Sequence, residues 1–136
     1  MKKSAAITSV ILIAVSLQAS AAEPKETKTS SGLAITMLKE GTGANPKGSD
    51  TVKVHYRGVL VSGKEFDSSY GRGQPATFPL NRVIPCWTEG VQLMKIGGKA
   101  KLVCPPNLAY GSRGVPGTIP PESTLNFEVE LLEILK

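Results

Sequence analysis

Apolar residues recur along this chain in two rhythms. Between Thr51 and Val59, Val52, Val54 and Tyr56 fall on one side of an extended backbone, and Lys53, His55 and Arg57 on the other. Side chains alternate between the faces of a strand, so the segment predicts a half-buried strand. Leu125, Phe127, Val129 and Leu131 alternate with Asn126, Glu128 and Glu130, the clearest strand pattern in the sequence. At Leu131-Leu132 the phase changes, and Leu132 and Ile134 continue it on the other parity. A bulge, or the strand's exit from the core, produces such a shift. Leu33 to Leu38, Glu65 to Asp67, Ala76 to Leu80 and Lys99 to Val103 read as further short extended segments.

The second rhythm is helical. Trp87, Val91 and Met94 are spaced i, i+4, i+7 and share one face. Pro85 suits the first turn of such a helix, and Gly97-Gly98 ends it. A helix this short is not stable alone in water, so tertiary packing must hold it. The rest is turn chemistry. Gly41 to Gly48 and Ser62-Gly63-Lys64 reverse the chain, and Ser68 to Gln74 reads as a loop. Pro105 to Pro121 contains five of the ten prolines and three glycines, a long stiffened loop with an apolar patch from Leu108 to Tyr110. Loops of this length in compact domains are usually functional. The pattern as a whole predicts an α+β domain, an antiparallel sheet with one short helix, over residues 33–136.

The N-terminus follows neither rhythm. Lys2 and Lys3 precede 13 uncharged, mostly apolar residues from Ala5 to Leu17, and Ala19-Ser20-Ala21-Ala22 follows. This is the layout of a secretory signal peptide over residues 1–22. The run is shorter than the ~20 apolar residues of a membrane span, and a buried N-terminal helix would leave the lysine pair and the Ala-x-Ala site unexplained. No Cys stands near the cleavage region, so no membrane anchor is expected. Residues 23–32 are polar and without periodicity, and read as a flexible tether. The expected location is outside the cytoplasm, in a bacterial periplasm.

Export changes two further readings. Removing the leader takes away two Lys and no acid, which lowers the net charge from +5 to +3. The remaining basic residues are scattered and interleave with no aromatic run, so nucleic acid is not the expected partner. Cys86 and Cys104 are the only two cysteines. In an oxidising compartment a disulfide between them is favoured; two buried free thiols are the competing reading. Two Cys and one distant His do not make a zinc site.

A hydrolase reading lacks its parts. The single His, His55, sits mid-strand opposite Val54 and Tyr56, and no Gly-x-Ser-x-Gly or Cys-His pair is present. Glu128 and Glu130 read as solvated neighbours. Gly71-Arg72-Gly73 and Gly97-Gly98 lack the context of a phosphate loop. Asp67, beside Phe66 at the start of a Ser-rich loop, reads either as a local turn cap or as a functional carboxylate. The seven aromatics are more informative, because five of them sit in short phrases next to turns or element ends. A few of them facing one hollow would make an apolar binding site.

The phrases Val54-His55-Tyr56-Arg57-Gly58, Phe66-Asp67-Ser68-Ser69, Val83-Ile84-x-x-Trp87-x-Glu89-Gly90, Ala109-Tyr110-Gly111, Ile119-Pro120-Pro121 and Thr124-Leu125-x-Phe127-x-Val129-Glu130-Leu131-Leu132 resemble the signature of the FKBP-type peptidyl-prolyl cis-trans isomerases. The resemblance runs in order from about Leu33 to Leu135. It implies a sheet wrapped around a short helix, and isomerisation of X–Pro bonds in exported polypeptides without metal or cofactor. Tyr56, Asp67, Trp87, Tyr110 and Phe127 would be the catalytic set. Trp87 would floor an apolar pocket, and Tyr56, Phe66, Val83, Ile84, Ile119 and Phe127 would wall it. Val83 and Ile84 would present backbone groups to an extended peptide, and Tyr110 its hydroxyl. Asp67 would sit at the rim, paired with Arg72 and the Tyr56 hydroxyl. Plain core packing is the stronger reading for Phe78.

Proline-containing polypeptides are the implied partners, and macrolides such as rapamycin and tacrolimus the implied inhibitors. A monomer is expected, since no helical dimerisation segment precedes Leu33. Two departures from the family pattern bear on the rim. Ala76 stands where some members carry a pocket-wall aromatic, and Val115 and Thr118 replace a His or Ile, so one pocket edge is expected to be more open. The alternative within the resemblance is a non-catalytic proline-peptide-binding or chaperone module using the same pocket.

Overall fold

Strand β3, Thr51–Leu60, is the spine of the molecule. In the computed structural model, which describes residues 25–135, β3 pairs along its length with β7, Leu125–Leu135. Both strands carry the cleanest alternation in the sequence, and both point it inward: Val52, Val54, Tyr56, Leu125, Phe127 and Val129 are all buried. The other edge of β3 is shared. Its first half pairs with β5, Ala76–Pro79, and its second half with β4, Glu65–Ser68. Beyond β7 lie β6, Lys99–Cys104, then β2, Ala34–Lys39, then β1, Glu26–Lys28. Every pairing is antiparallel.

The phase change at Leu131-Leu132 is a bulge. Lys53 lies opposite Glu133 and Val54 opposite Leu131, so Leu132 is skipped in the ladder. On the opposite edge of β7, Leu131 extends the pairing with β6 by one step, accepting from Gly97 N–H and donating to Gly98 O.

One amphipathic helix covers the inner face. Pro85 opens it at its first turn, and it runs to Gln92, burying Cys86, Trp87, Gly90 and Val91. It ends sooner than the Gly97-Gly98 pair suggests. Met94 lies past the helix yet is fully buried, because the chain turns down into the core before Gly97 reverses it at φ 91°. We label this helix α2. Its Thr88 hydroxyl donates to Leu80 O at 2.6 Å, which ties it to the 3-10 turn Leu80–Arg82.

Two segments differ from the sequence reading. Within the stretch expected as a tether, Glu26–Lys28 forms β1, opposite Ala34–Thr36. All three of its residues are exposed, so the strand rests on backbone pairing and left no apolar pattern to read. Within the expected loop after β4, Ser69–Arg72 forms one helical turn, α1. Ser68 caps it by accepting from Gly71 N–H at 3.2 Å, and Gly73 closes it in the left-handed region. The leader expected at residues 1–22 lies outside the described residues.

Cys86 and Cys104 are joined, with Cα atoms 5.7 Å apart and no exposure at either residue. The bond settles the two cysteine readings in favour of the disulfide. It fastens the first turn of α2 to the end of β6. Loop closure of this length contributes about 3 kcal/mol in the chain-entropy account.

Candidate active site

Trp87 is where the fold comes to a point. It projects from α2 against the concave face of the sheet and is 4% exposed. Three rings stand edge-on around it. Tyr56 of β3 lies at 5.2 Å and 84°, Phe127 of β7 at 5.4 Å and 83°, and Phe78 of β5 at 5.5 Å and 88°. Phe66 of β4 extends the wall by meeting Phe127 at 5.6 Å and 85°. Edge-to-face packing is the favoured geometry for aromatic pairs, worth about 0.5–1.5 kcal/mol each beyond the area buried. Here it also leaves the indole as a floor with upright walls. Trp87 Nε1 is buried without an acceptor among the described residues.

The close approach of Phe66 and Phe127 depends on Gly58. It sits on β3 opposite Phe127. A Cβ there would lie 2.6 Å from Phe66 Cζ and 2.7 Å from Phe127 Cε1. A side chain there would force one or both rings to move.

Above the floor opens a hollow of about 430 Å³, lined by the four walls with Val83, Ile84, Ala109 and Tyr110, and by the charged Asp67 and Arg82. Val83 and Ile84 bridge the 3-10 turn and α2. Ile84 is extended, at φ −61° and ψ 149°, and its N–H has no protein acceptor among the described residues. Tyr110 stands on the loop after β6, 42% exposed, its hydroxyl unbonded among the described residues. The loop folds back at Gly114, φ 61°, where a Cβ would be 2.3 Å from Ile119 O.

One rim of the hollow carries a polar clamp. Tyr56 Oη donates to Asp67 Oδ2 at 2.5 Å. Arg72 reaches both partners, giving 2.8 Å to Asp67 Oδ1 and 3.1 Å to Tyr56 Oη. Burial alone would raise the Asp67 carboxyl, but the bonds from Tyr56 and Arg72 outweigh it and hold the group below its ordinary value. Burial, reinforced by the Asp67 carboxylate, pushes the Tyr56 phenol up. The clamp therefore keeps a carboxylate ionised and a phenol protonated.

The residues named from sequence fall into three groups. Tyr56, Phe66, Asp67, Val83, Ile84, Trp87, Tyr110 and Phe127 converge on the hollow. Arg72 stands behind Asp67 rather than in the lining. Ile119 is buried at 5% exposure in a two-residue bridge with Val115, and borders a separate hollow under the Pro-rich loop. It packs into the same hydrophobic core as Trp87, Leu125 and Phe127 but is not part of the hollow's lining. Phe78, read as plain core, is a wall, brought there by the pairing of β5 with β3 that sets it opposite Val52. Arg82 was missed, because a lone Arg in a turn reads as surface charge. Ala76 is half-buried and absent from the lining.

A family model described as FKBP-type peptidyl-prolyl cis-trans isomerase matches residues 42–132. The chain belongs to this family. It is 59% identical over 114 residues to the FKBP-type peptidyl-prolyl cis-trans isomerase FkpA of Escherichia coli K12, covering 83% of this chain and 42% of that protein. It is 55% identical over 107 residues to the FKBP-type 22 kDa isomerase of the same organism, covering 79% of this chain and 52% of that one. The chain thus spans about half the length of these curated relatives, or less. Among solved structures, FkpA from Escherichia coli superposes with a TM-score of 0.78 at 56% identity, covering 80% of this chain and 51% of the other. A peptidyl-prolyl cis-trans isomerase from Pseudomonas syringae superposes with a TM-score of 0.78 at 39% identity, covering 85% and 84%. The FKBP fold expected from the six phrases is the fold present, and the aromatic hollow described above lies within the matched region.

Proposed function

We propose that this protein is a peptidyl-prolyl cis-trans isomerase acting on X–Pro bonds of exported polypeptides. The observation that carries the reading is the upright arrangement of Tyr56, Phe78 and Phe127 around the Trp87 floor. It makes an open-topped, aromatic-walled hollow with room for a proline ring and its flanking backbone.

The mechanism follows from what the bond needs. Rotation about a peptide C–N bond meets a barrier of about 20 kcal/mol because the planar amide is resonance-stabilised. The twisted transition state has lost that resonance and is less polar than the ground state. Seating the proline ring on Trp87 surrounds the amide with apolar surface, which favours the twisted form over the planar one. The free Ile84 N–H holds the peptide backbone beside the hollow. The Tyr110 hydroxyl, at the opposite edge, is placed to donate to the carbonyl as it turns. The Asp67–Tyr56–Arg72 clamp fixes the Tyr56 ring as a wall. No bond is made or broken, so the chemistry asks for no nucleophile.

We assign the protein to the periplasm of a bacterium, with residues 1–22 as the removed leader. The disulfide supports an oxidising compartment. The hollow is also the place where rapamycin or tacrolimus would bind. A proline-limited refolding assay with and without rapamycin tests the reading. Acceleration that rapamycin abolishes is the expected result. No acceleration over the spontaneous rate would sink it, and peptide binding without turnover would leave a proline-peptide-binding module instead.

A further inference from the structure

Two charged residues line the hollow, Asp67 and Arg82. Asp67 is already matched by Arg72 and Tyr56. Arg82 is not matched. It ends the 3-10 turn immediately before Val83 and Ile84, is exposed, and forms no ion pair among the described residues. The hollow is therefore bordered by one arginine without an ion-pair partner among the described residues, next to the segment offered to the substrate backbone. A guanidinium presents a fixed fork of donors that suits a carboxylate.

We infer that Arg82 is a specificity-determining residue that selects prolyl bonds flanked by Asp or Glu. The inference rests on the isomerase reading above. A peptide running past Val83 and Ile84 carries the side chain next to its proline alongside residue 82. The pair it forms there is exposed, so its effect is modest: a gain of about two- to fivefold follows from the usual strength of such pairs. The pair forms equally with the planar and twisted amide, so the gain falls on KM and not on kcat. Salt suppresses it, because the screening length falls from about 10 Å at 0.1 M to about 3 Å at 1 M.

The test compares kcat/KM of the purified protein on tetrapeptides carrying Glu, Gln or Lys immediately before the proline, and on a second set varied immediately after it. On at least one side Glu is expected to exceed Gln by two- to fivefold at low salt, with Lys below Gln, and the difference is expected to vanish at 1 M NaCl. Arg82→Gln collapses the Glu-to-Gln ratio to one, Arg82→Glu inverts it, and Arg82→Lys retains part of it. The ratio compares two substrates on one enzyme, so a general loss of activity leaves it unmoved. Equal turnover of Glu and Gln peptides on both sides, or a ratio unchanged in Arg82→Gln, overturns the inference and leaves the isomerase reading standing. Failure to turn over any peptide overturns both.

Discussion

Tyr56 Oη donates to Asp67 Oδ2 across 2.5 Å, from the centre of β3 to the end of β4. The bond links a wall of the aromatic hollow to a carboxylate at its rim, and Arg72 closes the triangle. Each partner is held in one protonation state by the others.

That coupling predicts a pH dependence at both ends. The folded Asp67 lies below its reference value of 3.8. Its contribution to stability is therefore complete above that value and is lost as pH falls through the lower folded one. The folded Tyr56 lies above its reference value of 10.0. Its contribution is complete below pH 10.0 and is lost as pH rises through the folded value. Urea midpoints compared at pH 3 and pH 6 should differ less in Asp67→Asn than in the parent. An unchanged difference would show that the clamp carries no acid dependence.

Trp87 and Tyr110 should separate under mutation. Trp87 is enclosed by three rings, so Trp87→Ala is expected to cost about 3–5 kcal/mol and to abolish turnover. Trp87→Leu keeps much of the volume and is the variant for activity, which should fall at least tenfold while the circular dichroism spectrum is kept. Tyr110→Phe touches an exposed side chain. Its melting temperature should match the parent within a degree or two while kcat falls.

Gly58→Ala places a methyl group within 2.7 Å of both Phe66 and Phe127. Overpacking of this kind costs about 1–3 kcal/mol. The two rings must spread, so rapamycin affinity should drop together with stability. A variant that is less stable yet binds rapamycin as the parent does would show that the wall relaxes elsewhere.

Replacing both Cys86 and Cys104 by Ser should cost about 2–5 kcal/mol. Both sulfurs are fully buried, so mild reductant should act on the folded protein only as fast as it opens. Trp87 follows Cys86 directly, and isomerase activity of the double variant should persist below its lowered melting temperature. Activity lost while the variant remains folded would mean that the bond positions the floor itself.

Much of the fold is legible in local patterns. The alternation in β3 and β7 marks their buried faces, and the phase change at Leu132 marks the bulge. β1 leaves no such mark, because exposed residues paired only through backbone carry no periodicity. α1 is a single turn whose cap residues are also ordinary loop residues. At the site, the phrases around Tyr56, Phe66, Trp87, Tyr110 and Phe127 point to the hollow, whereas Ile119 joins the core without lining it and Arg82 has no local signature.

The sequence by itself determines which residues face inward, where the chain turns, and that five aromatics sit beside those turns. Periodicity reports only the side of an element on which a residue lies. What stands across from it is set by pairing between distant segments. Only the tertiary structure brings Phe78 edge-on to Trp87, buries Ile119 in the core beside Trp87 and Phe127, closes Arg72 on Asp67, and leaves Arg82 at the hollow without an ion pair among the described residues.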